Sequence, residues 1–249
     1  MSAAPQRGPV AATGSEEGTP AAIWREPLHE AVLERAGTGA LLDLGCGAGE
    51  FARYATDRGA TLTGVDLDEA AVAAAAAHVP EAAFLVGDAA DPPSGPFDAV
   101  VAMQLLEHVA NPVAVLRVAP GPVVVATVWG RESECDARIF AQALAPWLPP
   151  RTPRPGPPPL TEPDRLRKIV GLAGLEVVAL DEVACPVDHA DADALVGELL
   201  GSGIGRHAAK QAGPAAVRAA VLDRAADLRT ADGGYRLHNV VRVLVARRG

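Results

Sequence analysis

Apolar positions along this chain follow two alternating periods. Nearly continuous apolar runs at residues 41–44, 60–65, 83–86, 97–102 and 123–129 read as short strands, the last of them buried on both faces. Between the runs, apolar residues recur at helical spacing. Leu28, Val32 and Leu33 mark a helix over 27–36, Phe51 and Ala55 one over 50–55, an alanine-rich stretch one over 69–79, and Asn111-Pro112 opens another through Arg117. Gly59, Pro80 and the turn at 119–122 punctuate them. Strands that alternate with helices in this way predict a doubly wound, mostly parallel sheet.

Past residue 129 the pattern loosens. Residues 138–148 have helical spacing. Nine prolines between Pro146 and Pro163 predict an extended or polyproline loop at 149–159. A helix over 166–171 ending at Ala173-Gly174, a sixth strand at 175–180, helices at 191–200 and 214–228, and a last strand at 235–245 complete the chain. Gly201-Ser202-Gly203-Ile204-Gly205 reads as a flexible break. Residues 1–22 lack periodicity and are rich in Ala, Gly, Pro, Ser, Thr and Glu, which predicts a disordered tail before a single domain over 23–249.

The chemistry gathers where the first strand ends. Leu41-Leu42-Asp43-Leu44 runs into Gly45-Cys46-Gly47-Ala48-Gly49, and a helix follows at once. Strand, glycine turn and helix form the nucleotide-binding corner of an open α/β sheet. The glycines permit a tight turn and let a ligand approach bare backbone N–H groups. Asp43 selects the ligand: a carboxylate there repels a pyrophosphate and attracts a cation. Asp66 ends the second strand 17 residues after Gly49, near the spacing at which an acid meets ribose hydroxyls. The alternative, capping the next helix, suits Asp68 better. Asp88 follows the third strand, so three acids fall at or near the carboxyl ends of successive strands.

Asp-Leu-Gly-Cys-Gly-Ala-Gly at 43–49 resembles the first motif of the class I S-adenosylmethionine-dependent methyltransferases, specifically across 41–109 and loosely beyond. The resemblance is closest to bacterial small-molecule enzymes. It implies a Rossmann-like, seven-stranded sheet with a helical lid after strands 5 and 6, over about 130–170 and 184–233. It implies S-adenosylmethionine as cofactor. Asp43, Gly45, Cys46, Gly47 and Gly49 would lie at its methionine portion, Asp66 and Leu67 at the ribose, Asp88 and Ala89 at the adenine, and Gln104 beside the methyl group. The implied reaction is methyl transfer to an oxygen, nitrogen or carbon nucleophile of a small molecule. His108 is the candidate general base, the alternative being that it packs beneath the sheet. Trp24, Trp129 and His238 are substrate-pocket candidates, with Trp147, Leu199, Leu200 and Ile204 behind them; each reads equally as core. Trp24 either caps the first helix or folds over the cofactor.

Composition narrows the alternatives. A formal charge of −9 argues against a phosphate-tracking, nucleic-acid-binding surface. Arg206, Lys210, Arg218, Arg224 and Arg229 are spread along helical sequence and read as a solvated face. No apolar run suggests a membrane span and no signal-peptide pattern opens the chain, so a cytoplasmic location is expected. Cys46, Cys135 and Cys185 show no metal-ligand spacing, so no metal centre is expected. An NAD-dependent oxidoreductase of Rossmann type stays open as an alternative, as does a cofactor-binding protein without transfer activity.

Overall fold

The computed structural model describes residues 26–148 and 159–249. The tail expected at 1–22, Trp24 and most of the proline-rich loop lie outside the described residues.

Helix α1 (Glu26–Ala36) leads into β1 (Ala40–Leu44), the glycine loop and α2 (Glu50–Thr56). Then come β2 (Thr61–Asp66), α3 (Glu69–His78), β3 (Ala83–Val86), β4 (Ala99–Met103), α4 (Pro112–Val118) and β5 (Val123–Trp129). The helix starts follow the sequence signals. The Asp68 side chain accepts from Ala70 N and that of Asn111 from Ala114 N, each satisfying a donor that the first helical turn leaves open. Among the described residues, 87–98 hold no helix, so the return from β3 to β4 is a bare loop.

Seven strands form one sheet in the order β3-β2-β1-β4-β5-β9-β6, where β6 is Leu175–Ala184 and β9 is Val240–Arg248. The first five pair in parallel, and β9 runs antiparallel between β5 and β6. Chain order reverses direction between β1 and β4, which opens a crevice at their carboxyl ends. Period-two alternation sorts the strand residues onto two faces. Leu42, Leu44, Val100, Val124 and Leu244 pack with α4 and α6 (Pro163–Leu172). Leu41, Val101, Val125 and Val243 pack with α1 and α2. Asp43 follows Leu41 by two residues and so shares the α1/α2 face.

A third core lies outside the sheet. It joins α5 (Arg138–Leu144), α7 (Ala192–Gly201), α8 (Gly203–Ala212), α9 (Pro214–Arg224) and a hairpin of β7 (Val187–His189) with β8 (Tyr235–Leu237). Trp147, Leu199 and Leu200 pack in this core, and Ile204 is exposed.

Several expectations are corrected. The break at 201–205 is a single junction. Ser202 ends α7, and its hydroxyl accepts from Gly205 N to start α8. Glycine serves close approach there, since a Cβ on Gly205 would lie 1.9 Å from Leu199 O. The expected strand at 235–245 is two strands in different sheets. They are divided at buried Asn239, whose amide accepts from Ala137 N and donates to Cys185 O. Strand β6 runs on to Ala184 because β9 pairs with it throughout. Helix α6, which falls largely within the stretch expected at 130–170, flanks the main sheet. No helix among the described residues is long and apolar enough to cross a membrane.

Gly64 in β2 supports the crevice from below. A Cβ there would lie 2.6 Å from the Phe84 ring and 2.9 Å from Cys46 Cβ in the glycine loop. Gly64→Ala is expected to cost about 1–3 kcal/mol through overpacking, read as a lowered urea midpoint. An unchanged midpoint would show that the loop yields freely.

Candidate active site

The glycine loop folds back onto the end of β2. Gly45 N and Cys46 N both donate to Val65 O, at 2.7 and 3.1 Å, and Gly47 N donates to Asp66 Oδ2 at 2.9 Å. The other Asp66 oxygen accepts from Asp68 N at 3.0 Å. This carboxylate therefore braces the loop as well as ending the strand. Gly45 needs its glycine twice over: its φ is +73°, and a Cβ would meet Leu105 Cδ1 at 2.8 Å. Gly49 sits at the N-terminus of α2 with φ +84°, and its Cα packs against Ala75 of α3.

Above the loop opens a cavity of about 310 Å³. Helix α1 contributes Leu28 and His29, and β1 with its loop contributes Asp43, Gly45, Cys46, Gly47 and Ala48. Glu50 and Phe51 of α2, Met103, Gln104 and His108 from the end of β4 onward, and Trp129 of β5 close it. Among the described residues, the lining carries carboxylates and imidazoles but no Lys or Arg.

Asp43 sets the electrostatics. It is 2% exposed, and its Oδ1 is enclosed without a hydrogen-bond partner. Burial, and then the charge of Asp66, push its pKa up to about 7. Burial also pushes the Cys46 thiol well up, helped by Asp43 and Asp66, so Cys46 is a buried wall and not a nucleophile. A buried carboxylate without a counter-ion is costly, and a cationic ligand in this cavity relieves that cost.

Gln104 carries a second cost. It has a φ of +54° despite its side chain. Its N–H donates to Thr127 O and Oγ1 at 3.2 and 3.0 Å, and its Nε2 is enclosed without a partner. His108 is exposed and lines the cavity, so it does not pack beneath the sheet. Its neighbour Glu107 turns inward and accepts from Trp129 N at 3.1 Å; burial raises its pKa.

The structure thus gathers Asp43, Gly45, Cys46, Gly47, Gln104, His108 and Trp129 around one cavity, with Asp66 one hydrogen bond away. Leu67 (71% exposed), Asp88 and Ala89 lie beyond it at the ends of β2 and β3. Asp88 Oδ1 accepts from Ala90 N at 2.8 Å, a local turn contact. His238 is displaced from the site: it sits at the surface, its N–H donating to Asp136 at 2.9 Å and its imidazole 3.5 Å from the same carboxylate. Sequence reasoning missed His29, which is buried and packs its ring against Phe51 and Tyr54, at 5.7 and 5.4 Å between centroids. No motif marks it; on α1 it reads as one more inward position.

The sheet order, the glycine loop and the acid-lined crevice define a Rossmann-like fold with a cavity at its topological switch point. More particularly, residues 19–180 match the family described as a methyltransferase domain, and the chain belongs to that family. It is 33% identical over 150 residues to a ubiquinone biosynthesis O-methyltransferase of Pseudomonas aeruginosa (strain LESB58), covering 52% of this chain and 64% of the relative. It is likewise 33% identical over 126 residues to an enzyme of the same name from Caulobacter sp. (strain K31), covering 45% and 50%. The matches thus span half to just under two thirds of these relatives. Among solved structures, magnesium protoporphyrin IX methyltransferase from Synechocystis PCC 6803, with bound SAH, aligns with a TM-score of 0.54 at 13% identity, over 92% of this chain and 84% of that one. The cyclase SpnF aligns with a TM-score of 0.55 at 22% identity, over 89% and 80%. At these identities the likeness is one of fold.

The raised pKa of Asp43 has a signed consequence. Its folded value, about 7, lies above that of an ordinary exposed aspartate, so the folded state binds the extra proton between them. This contribution to stability is full below pH 4 and is lost as pH rises through 7. Asp43→Asn is expected to remove that decline, seen by comparing urea midpoints at pH 5 and pH 8. A variant that declines as the parent does would assign the effect elsewhere.

Proposed function

We propose that this protein transfers the methyl group of S-adenosylmethionine to an oxygen, nitrogen or carbon nucleophile of a small-molecule acceptor. The observation that carries the reading is the enclosed Asp43 carboxylate, whose Oδ1 has no hydrogen-bond partner among the described residues, beside a cavity whose described lining holds no Lys or Arg. Such a cavity suits a ligand bearing ammonium and sulfonium charges and disfavours the pyrophosphate of a dinucleotide. Membership of the methyltransferase family supports the same cofactor. The names of the matched relatives favour oxygen among the acceptor atoms.

S-adenosylmethionine supplies an electrophilic methyl group already activated on a sulfonium. The chain has to bind, orient and exclude water. Asp43, with Gly45, Cys46 and Gly47, holds the cationic methionine portion. Gly49 serves this end indirectly, as the start of α2. Asp66 takes the ribose hydroxyls; its oxygens already accept from Gly47 N and Asp68 N, and each keeps a further lone pair. Leu67, Asp88 and Ala89, at the adjoining strand ends, flank the adenine. Gln104 stands beside the methyl group, where a ligand contact offsets its strained backbone and enclosed amide. His108, exposed on the cavity wall, accepts a proton from the acceptor as it attacks. The acidic wall around Asp43 would hold an uncharged thioether product less tightly than the cation.

Calorimetric titration with S-adenosylmethionine, S-adenosylhomocysteine and NAD tests the cofactor. Micromolar binding of the first two and none of the third is expected; NAD binding alone would replace methyl transfer with hydride chemistry. Asp66→Ala is expected to weaken S-adenosylmethionine binding by about 1.5–3 kcal/mol, the worth of a hydrogen bond to a charged group. Full affinity in that variant would remove Asp66 from the ribose. His108→Ala is expected to slow turnover at unchanged cofactor affinity, and normal turnover would exclude it as the base.

A further inference from the structure

Trp129 has a second side. Besides walling the crevice over the glycine loop, it lines a separate cavity of about 220 Å³ formed by the chain just after β5. Cys135, Ala137, Arg138 and Thr161 line this slot with it. Trp129 is common to both cavities, at the edge of the sheet where ligands bind.

The charged groups around the slot are turned on one another. Arg138 Nη1 donates to Cys135 O and Asp136 Oδ1, at 2.9 and 3.2 Å. Arg131 pairs with Glu134 and Glu162, each at 3.0 Å. Arg242, only 1% exposed, pairs with Glu134 at 2.6 Å and Glu182 at 3.0 Å. What these side chains leave to the slot is chiefly carbon. Glu132 also lines it, but as an exposed residue. The wall is pinned as well: Gly130 N donates to Val240 O at 2.7 Å and Ala137 N to Asn239 Oδ1 at 3.0 Å.

We infer that this slot holds the apolar ring of the methyl acceptor, an uncharged, flat, ring-bearing molecule that lies against Trp129 and reaches past it with its nucleophilic atom. The inference rests on the methyl-transfer reading of the first cavity and gives it a substrate class. Size agrees: an apolar cavity of about 150 Å³ accepts benzene, so this slot takes one ring with substituents or a compact fused pair. Chemistry agrees too. An aromatic ring gains from stacking on indole beyond the area it buries, whereas a charged body would have to break an ion pair already made.

The test uses the full chain labelled with 5-fluorotryptophan, saturated with S-adenosylhomocysteine and titrated with 2-naphthol. Three tryptophans give three fluorine resonances, and Trp129→Phe assigns one. A saturable shift of the Trp129 resonance is expected while S-adenosylhomocysteine stays bound. Ala137→Leu and Thr161→Phe fill the slot from different segments, and each is expected to weaken naphthol binding at least tenfold at unchanged S-adenosylhomocysteine affinity. Either variant suffices if the other does not fold. Displacement of naphthol by S-adenosylhomocysteine, affinity untouched by the filling variants, or no saturable shift would each overturn the assignment. Failure of S-adenosylhomocysteine itself to bind would overturn the methyl-transfer reading instead, while the naphthol titration still reports on the slot.

Discussion

An enclosed carboxylate with no counter-ion among the described residues sits at the centre of this sheet, and much of the surrounding structure accommodates it. Asp43 lies in β1 between Gly64 of β2 and Val101 of β4, at the point where the strand order reverses. Its neighbours withhold positive charge. Asp66 adds negative charge close by while bracing the glycine loop through Gly47 N. A fold that only needed stability would place an apolar residue here, as it does at Leu41, Leu42 and Leu44. The cost is tolerated because the rest of β1 is well buried and paired on both sides, so the sheet holds the group in place. The unpartnered amide and left-handed backbone of Gln104 repeat the pattern across the same cavity. Both departures from a relaxed structure fall where a ligand is needed, which is where stored cost serves function.

Much of this was legible in the sequence because it rests on local chemistry. The strand periods, the glycine turn, the acids after successive strands and the caps at Asp68 and Asn111 are each fixed by a few adjacent residues. What was not legible depends on distant partners. His29 becomes a cavity residue only when α1 packs beside α2. His238 leaves the site because Asp136, about a hundred residues away, holds its backbone. Glycines 201–205 suggested looseness, yet Gly205 permits two helices to approach closely. The split of the last strand at Asn239 follows from hydrogen bonds to Ala137 and Cys185, which no pattern along 235–245 contains.

The chain after β5 is tied to the sheet by charge. Arg242 reaches from β9 to Glu134 in the turn after β5 and to Glu182 in β6, so three segments share one guanidinium. A buried arginine of this sort adds little net stability after desolvation. It does fix the chain after β5 against β9 and β6.

The bare loop between β3 and β4 leaves its mark at the far edge of the sheet. Strand β3 is the outermost on that side; Leu85 is exposed on the face that a crossover helix would otherwise cover, and Val86 is exposed on the other. An open edge with apolar side chains offers its unpaired N–H and C=O groups to any extended chain that arrives. Here the edge is only four residues long, Ala83–Val86, and Gly87, Asp88 and the Pro92-Pro93 pair follow directly. Shortness and proline thus provide the protection against edge-to-edge self-association that a covering helix would have supplied, and they leave the neighbouring crevice open to solvent.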